Sequence, residues 1–116
     1  MAKILDFNAF EQPTLPLVMR DDAKTRLNVT APSEALIERL EANYDTIVAA
    51  CEGTDRSQNT MDAVRNLAAD FISCNEENIK VTGDELRDKY KLNYVMLFAF
   101  FVSYMDMVNE IKTAKN

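Results

Sequence analysis

Nine apolar residues stand in a row from Tyr94 to Val102, and any fold of this chain has to find cover for them. Met105, Met107, Val108 and Ile111 continue the apolar character past Asp106, and Asn93 supplies a cap before the run. The stretch predicts one long helix from about Tyr94 to Thr113, apolar nearly all round, and such a helix must be covered all round. A bilayer is not the expected cover, because a span takes about 20 apolar residues and Asp106 interrupts this one. Two coverings stay open: the helix is the centre of its own domain, or one face docks a second chain. Two moderate helices and one hairpin are little material for a full circumference, so a partner or self-association face is expected. Phe98, Phe101, Met105 and Val108 follow one another at spacings of three and four and form the expected patch. Phe and Met suit such a face, Met because it adapts its shape to what it meets.

The preceding segments read as the rest of a small helical bundle. Ser33 is a good N-cap, Glu34 sits favourably at the positive helix end, and Gly53 is a stop. Between them Leu36, Leu40, Tyr44, Ile47 and Cys51 fall at spacings of three and four, with Ile37 and Val48 beside them, opposite Glu34, Glu38, Arg39, Glu41 and Asp45. This predicts one amphipathic helix of about 19 residues. A second helix runs after the polar connector 54–59 to about Cys74, with Met61, Val64, Leu67, Ala68, Phe71 and Ile72 on its stripe. Ile79 and Val81 are expected to tuck a loop against the core. Thr82 and Glu85, three apart, fit a capping box for a short helix over about 84–90.

Residues 14–30 change period. Leu15, Leu17 and Met19 alternate, as do Thr25, Leu27 and Val29, around the polar stretch 20–24. This predicts a β-hairpin with a loop of about four residues. Pro16 cannot donate to a ladder, which places its strand at an edge. No third strand is evident, and an isolated two-stranded hairpin is marginally stable at best. The hairpin must therefore lie on helices or pair with another chain, and Leu27 and Val29 are the candidate contacts. Residues 1–13 carry Ile4, Leu5, Phe7 and Phe10 and read as an arm. Phe7 and Phe10 dock on a partner or pack on the arm's own domain.

The chain lacks the groups most enzymes rely on. It has no histidine, so the usual general base, nucleophile partner and metal ligand are missing. Its two glycines, Gly53 and Gly83, are isolated and build no phosphate-cradling loop. The densest acidic stretch, Glu76, Glu77, Asp84, Glu85 and Asp88, reads as a solvated loop and a polar helix face. A non-enzyme with no catalytic residues, cofactor or metal is expected. Nineteen acids against 13 bases give a formal net charge of −6, and no Lys/Arg cluster stands out, so nucleic-acid binding is not expected. Cys51 and Cys74 are too far apart for a Cys-x-x-Cys pair and read as reduced, buried thiols of a cytosolic protein. The N-terminus meets Asp6 almost at once and does not read as a secretory signal.

The expected architecture is α+β, mostly α, in one domain over 1–116: an arm (1–13), a hairpin (14–30) packed beside a helical part (33–113), and a long apolar C-terminal helix. Within it two stretches stand out: Thr14-Leu15-Pro16-Leu17-Val18-Met19-Arg20-Asp21-Asp22 running into Leu27-Asn28-Val29-Thr30-Ala31-Pro32-Ser33, and Thr82-Gly83-Asp84-Glu85-Leu86-Arg87-Asp88-Lys89-Tyr90. With this layout in a small acidic chain, they resemble the tail assembly chaperones of long-tailed bacteriophages and related prophages. The resemblance covers most of the chain by layout and carries no invariant signature. It implies a non-catalytic chaperone, in the cytoplasm of a bacterial host, that coats the tape-measure protein and recruits tail-tube subunits. A homo-oligomer is expected, with helix 94–111 as the contact region. The other readings are a structural virion component, such as a connector or tail protein, and a small protein-binding regulator.

Overall fold

The computed structural model describes residues 14–55 and 57–113, with side chains described through Asn109. The arm, with Phe7 and Phe10, lies outside the described residues. The fold is α+β and mostly α: a two-stranded antiparallel hairpin, β1 (Leu15–Val18) and β2 (Arg26–Val29), is followed by five helices.

The hairpin register explains how Pro16 is tolerated. The Met19 N–H donates to the Thr25 carbonyl at 2.8 Å, and the strands pair Leu17 with Leu27 and Leu15 with Val29. Bonded pairs recur every second residue in an antiparallel ladder, so Pro16, opposite Asn28, sits in a non-bonded pair where no N–H is needed. Asp21 closes the turn by accepting from the Thr25 N–H at 2.8 Å and the Thr25 hydroxyl at 2.5 Å.

Of the two placements open to the hairpin, the helices take it. Leu27 and Val29 are fully buried in the domain's own core, so they are not the partner contacts expected of them. The alternating pattern does point one side of β2 inward, but inward here means onto α3 (Gln58–Ile72), while β1 lies on the last helix. The far edge of β2 is closed by the chain that follows α3. Thr30 N–H donates to the Cys74 carbonyl at 2.8 Å, and Glu76 N–H donates to the Asn28 carbonyl at 3.0 Å, around a bridge between Val29 and Asn75.

The expected 19-residue helix is two: α1 (Glu34–Ala42) and α2 (Tyr44–Glu52), parted at Asn43. The Asn43 side-chain amide donates to the Arg39 carbonyl at 2.8 Å. An Asn side chain competing for a backbone acceptor is a physical reason for the break. Ser33 caps α1 and Gly53, at φ 82°, ends α2. Ser57 caps α3, whose Val64, Leu67, Ala68, Phe71 and Ile72 are buried. Beyond it, buried Asn75 donates to the Ile72 and Ile79 carbonyls at 2.7 and 2.8 Å and accepts from the Ile79 N–H at 3.0 Å, which fixes the loop. Val81 is buried with it.

The Thr82–Glu85 capping box is present in full at the start of α4 (Gly83–Asp88). Gly83 packs so closely on α3 that an added Cβ would stand 2.2 Å from Asn66 Oδ1. Asn93 Oδ1 then accepts the Met96 N–H at 3.0 Å and opens α5 (Tyr94–Thr113). Phe71 meets Tyr104 and Phe101 at centroid distances of 4.7 and 6.2 Å, joining α3 to α5 by an aromatic cluster that Phe100 extends. Among the described residues Cys51 and Cys74 form no disulfide, and both are half-buried rather than buried. Among the described residues no helix is long and apolar enough to cross a membrane.

Candidate protein-binding surface

Among the described residues α5 is covered on one side. Leu97, Phe100, Phe101, Tyr104 and Met107 are buried against α2, α3 and β1. On the other side four large apolar side chains remain in water on successive turns, from 39% exposed for Tyr94 to 57% for Val95, with Phe98 at 42% and Val102 at 45%. Ala99 and Ser103, both exposed, lie among them. No ionisable charge occurs on α5 until Asp106, so the face is apolar and uncharged over its first three turns.

This corrects the expected patch. Phe101 is 1% exposed and belongs to the core, so Phe98, Phe101 and Met105 do not form one continuous face. Phe98 is on the outward side. Met105 and Val108 are half-buried and line a separate groove of about 330 Å³ between α5 and the α1–α2 pair, with Ile37, Leu40 and Tyr44 opposite. Of the eight residues named from the sequence, Phe98 is openly exposed, Met105 and Val108 share the groove, and Leu27, Val29 and Phe101 are interior. Phe7 and Phe10 lie outside the described residues. Tyr94, Val95 and Val102 were not singled out, nor were Val18 and Tyr44, which are also exposed.

A second groove, of about 310 Å³, runs between β1 and α5, bounded by Leu15, Leu17 and Val18 on the strand and by Met96, Ala99 and Ser103 on the helix. Arg20 stands at its end, donating to the Lys91 carbonyl at 2.9 Å beside the Met96 sulfur. Val18, 59% exposed, continues the apolar surface from α5 onto the hairpin.

The ionisable groups act as braces. Hydrogen bonds from the Thr25 side chain and N–H hold the Asp21 carboxyl below its ordinary value. Those from the Ser57 N–H and the Thr60 hydroxyl do the same for Asp55, and those from the Asn28 N–H and side chain for Glu77. Each carboxylate is an ionised acceptor committed to a loop. Among the described residues no group of three or more Cys, Asp or Glu side chains is placed to hold a metal ion.

Comparison of the chain with protein-family models, with curated proteins and with solved structures finds no match.

Proposed function

We propose that this chain is a non-catalytic assembly chaperone of the phage or prophage tail type, which holds tail proteins through the outward face of α5. The observation that carries the reading is the row Tyr94, Val95, Phe98 and Val102, large apolar side chains half in water on successive turns. Exposed apolar residues scattered singly need no explanation, but a contiguous uncharged row marks a contact surface. Burying a Val or Phe side chain in full contributes roughly 1.5–3 kcal/mol, and half-exposed ones still have a share of that to gain. The cost of association takes back part of it, which suits a chaperone that must let its client go.

A face of this kind also favours reversible capture of apolar segments, and the resemblance implies an aggregation-prone tape-measure protein as the partner coated. The tail-type reading takes its partner from the resemblance, and the surface supports the mode of contact. Co-expression with the tape-measure protein of the same genome tests it. The expected result is soluble tape-measure protein in complex with this chain, and no copies of the chain in finished particles. Tape-measure protein that stays insoluble overturns the reading, and stable incorporation into particles favours a structural tail component.

A further inference from the structure

We propose that the groove between α1 and α5 seats a helical segment of a partner whose apolar stripe is flanked by Lys or Arg. This rests on the reading of the chain as a protein that holds other proteins, and it names the chemistry of one segment held. The slot's lining is mainly apolar: Leu40 is its most buried residue, and Ile37 and Tyr44 stand on one side with Met105 and Val108 on the other. Its volume of about 330 Å³ takes several apolar side chains. Helices alone bound it, α5 on one side and the α1–α2 pair on the other, so it offers no strand edge, and the occupant that fits is a helix laying its apolar stripe between them.

Charge decides which helix. Glu41 lines the slot itself, and Glu34 and Glu38 precede it at helical spacing, all three exposed. Arg39, the one cation of α1, is turned away to Asp70 of α3 at 2.6 Å. Among the described residues no ion pair includes Glu34, Glu38 or Glu41. An apolar slot beside a ridge of like charge attracts basic flanks and repels acidic ones. Tyr44, 46% exposed and lining the same slot, adds an aromatic face on which a Lys or Arg can rest.

The test uses the full chain and two labelled peptides of equal length with the same Leu stripe, one flanked by Lys and one by Glu. Fluorescence anisotropy should show the Lys peptide binding roughly tenfold tighter or better, with affinity falling as salt rises. Glu38→Lys with Glu41→Lys should weaken it about tenfold, as should Ile37→Ser with Val108→Ser. Asp22→Lys with Glu76→Lys makes the same change in net charge away from the groove and should leave binding unchanged. Equal binding of the two peptides overturns the proposal. So does an equal loss in the distant charge variant, which would show general attraction to an acidic chain. A fall in the chain's own sedimentation mass in Ile37→Ser with Val108→Ser also overturns it, because a second copy would then be the occupant. Failure here, with tail-protein capture intact, removes the groove's assignment and leaves the α5 face standing.

Discussion

Glu77 grips Asn28 at two points, one carboxylate oxygen accepting the backbone N–H and the other the side-chain amide, both at 2.8 Å. The residues are 49 apart in sequence, and the contact completes the closure of the β2 edge begun by the Val29–Asn75 bridge. Left unpaired, that edge would be a template for another strand.

Removing the grip should loosen the hairpin in graded fashion. Glu77→Gln keeps one acceptor and Glu77→Ala keeps none, so melting temperatures at neutral pH should fall in the order wild type, Gln, Ala. A Glu77→Ala melt that overlays wild type would show that the two bonds add nothing to stability.

Acid should act through the same groups. Asp21, Asp55 and Glu77 are all held below their ordinary values of 3.8, 3.8 and 4.5 by hydrogen bonds to the charged form. The unfolded chain therefore takes up protons first as pH falls. Their contribution is complete above the ordinary carboxylate values and is lost as pH drops through them toward the lower folded values. Urea midpoints for wild type and Glu77→Gln should differ by a constant amount from pH 7 to about 5 and converge below about 4.5. A gap that widens on acidification contradicts this account.

Tyr104 is fully buried between Phe71 and Phe100, and its hydroxyl has no hydrogen-bond partner among the described residues. Burial, with Cys74 adding to it, pushes the phenol pKa well above its ordinary value, so it stays neutral. Tyr104→Phe keeps the ring contacts and removes an unsatisfied polar atom, and should be neutral or stabilising by about 1 kcal/mol. Tyr104→Ala should cost about 3–5 kcal/mol. Equilibrium denaturation measures both, and a marked loss in the Phe variant would mean that the hydroxyl has a partner.

Local signals in the sequence mark most of the elements. Ser33, Gly53, Thr82 with Glu85, and Asn93 mark helix ends because each satisfies backbone groups within a few residues. The period-2 alternation of Leu15, Leu17, Leu27 and Val29 marks the hairpin. Asn43 was less legible, since the apolar spacing continues across it and only its side chain departs from the helix pattern. The Glu77–Asn28 grip was invisible, because an acidic loop looks the same whether its carboxylates are solvated or committed.

The phase of α5 was the harder case, since a helix apolar all round hides which side is out. Ser103 and Asp106 are the only strongly polar residues between Tyr94 and Val108, and they carry the missing signal. At about 100° per residue, Val95 and Ala99 lie within about 20° of Asp106 around the axis and Val102 within about 40°, whereas Phe101 lies about 140° away. Phe101 has the size and spacing of a patch residue, but its phase turns it to the buried side.

That difference gives a contrast between neighbours on one helix. Phe101→Ser opens the aromatic core and should destabilise the fold by several kcal/mol, in the range of about 3–5 for losing a buried Phe. Phe98→Ser touches a half-exposed side chain and should stay within about 1 kcal/mol of wild type. Thermal melts followed by circular dichroism separate the two, and similar losses in both would place Phe98 in the core.

Whether the outward face of α5 holds other protein is read from retention of the co-expressed tape-measure protein on tagged chain. Wild type is compared with the triple variant Val95→Ser, Phe98→Ser and Val102→Ser, chosen because all three side chains are exposed in the folded domain. The variant is expected to melt like wild type and to retain roughly a tenth of the partner or less, since three apolar contacts are lost together. Undiminished retention by a folded triple variant would contradict it.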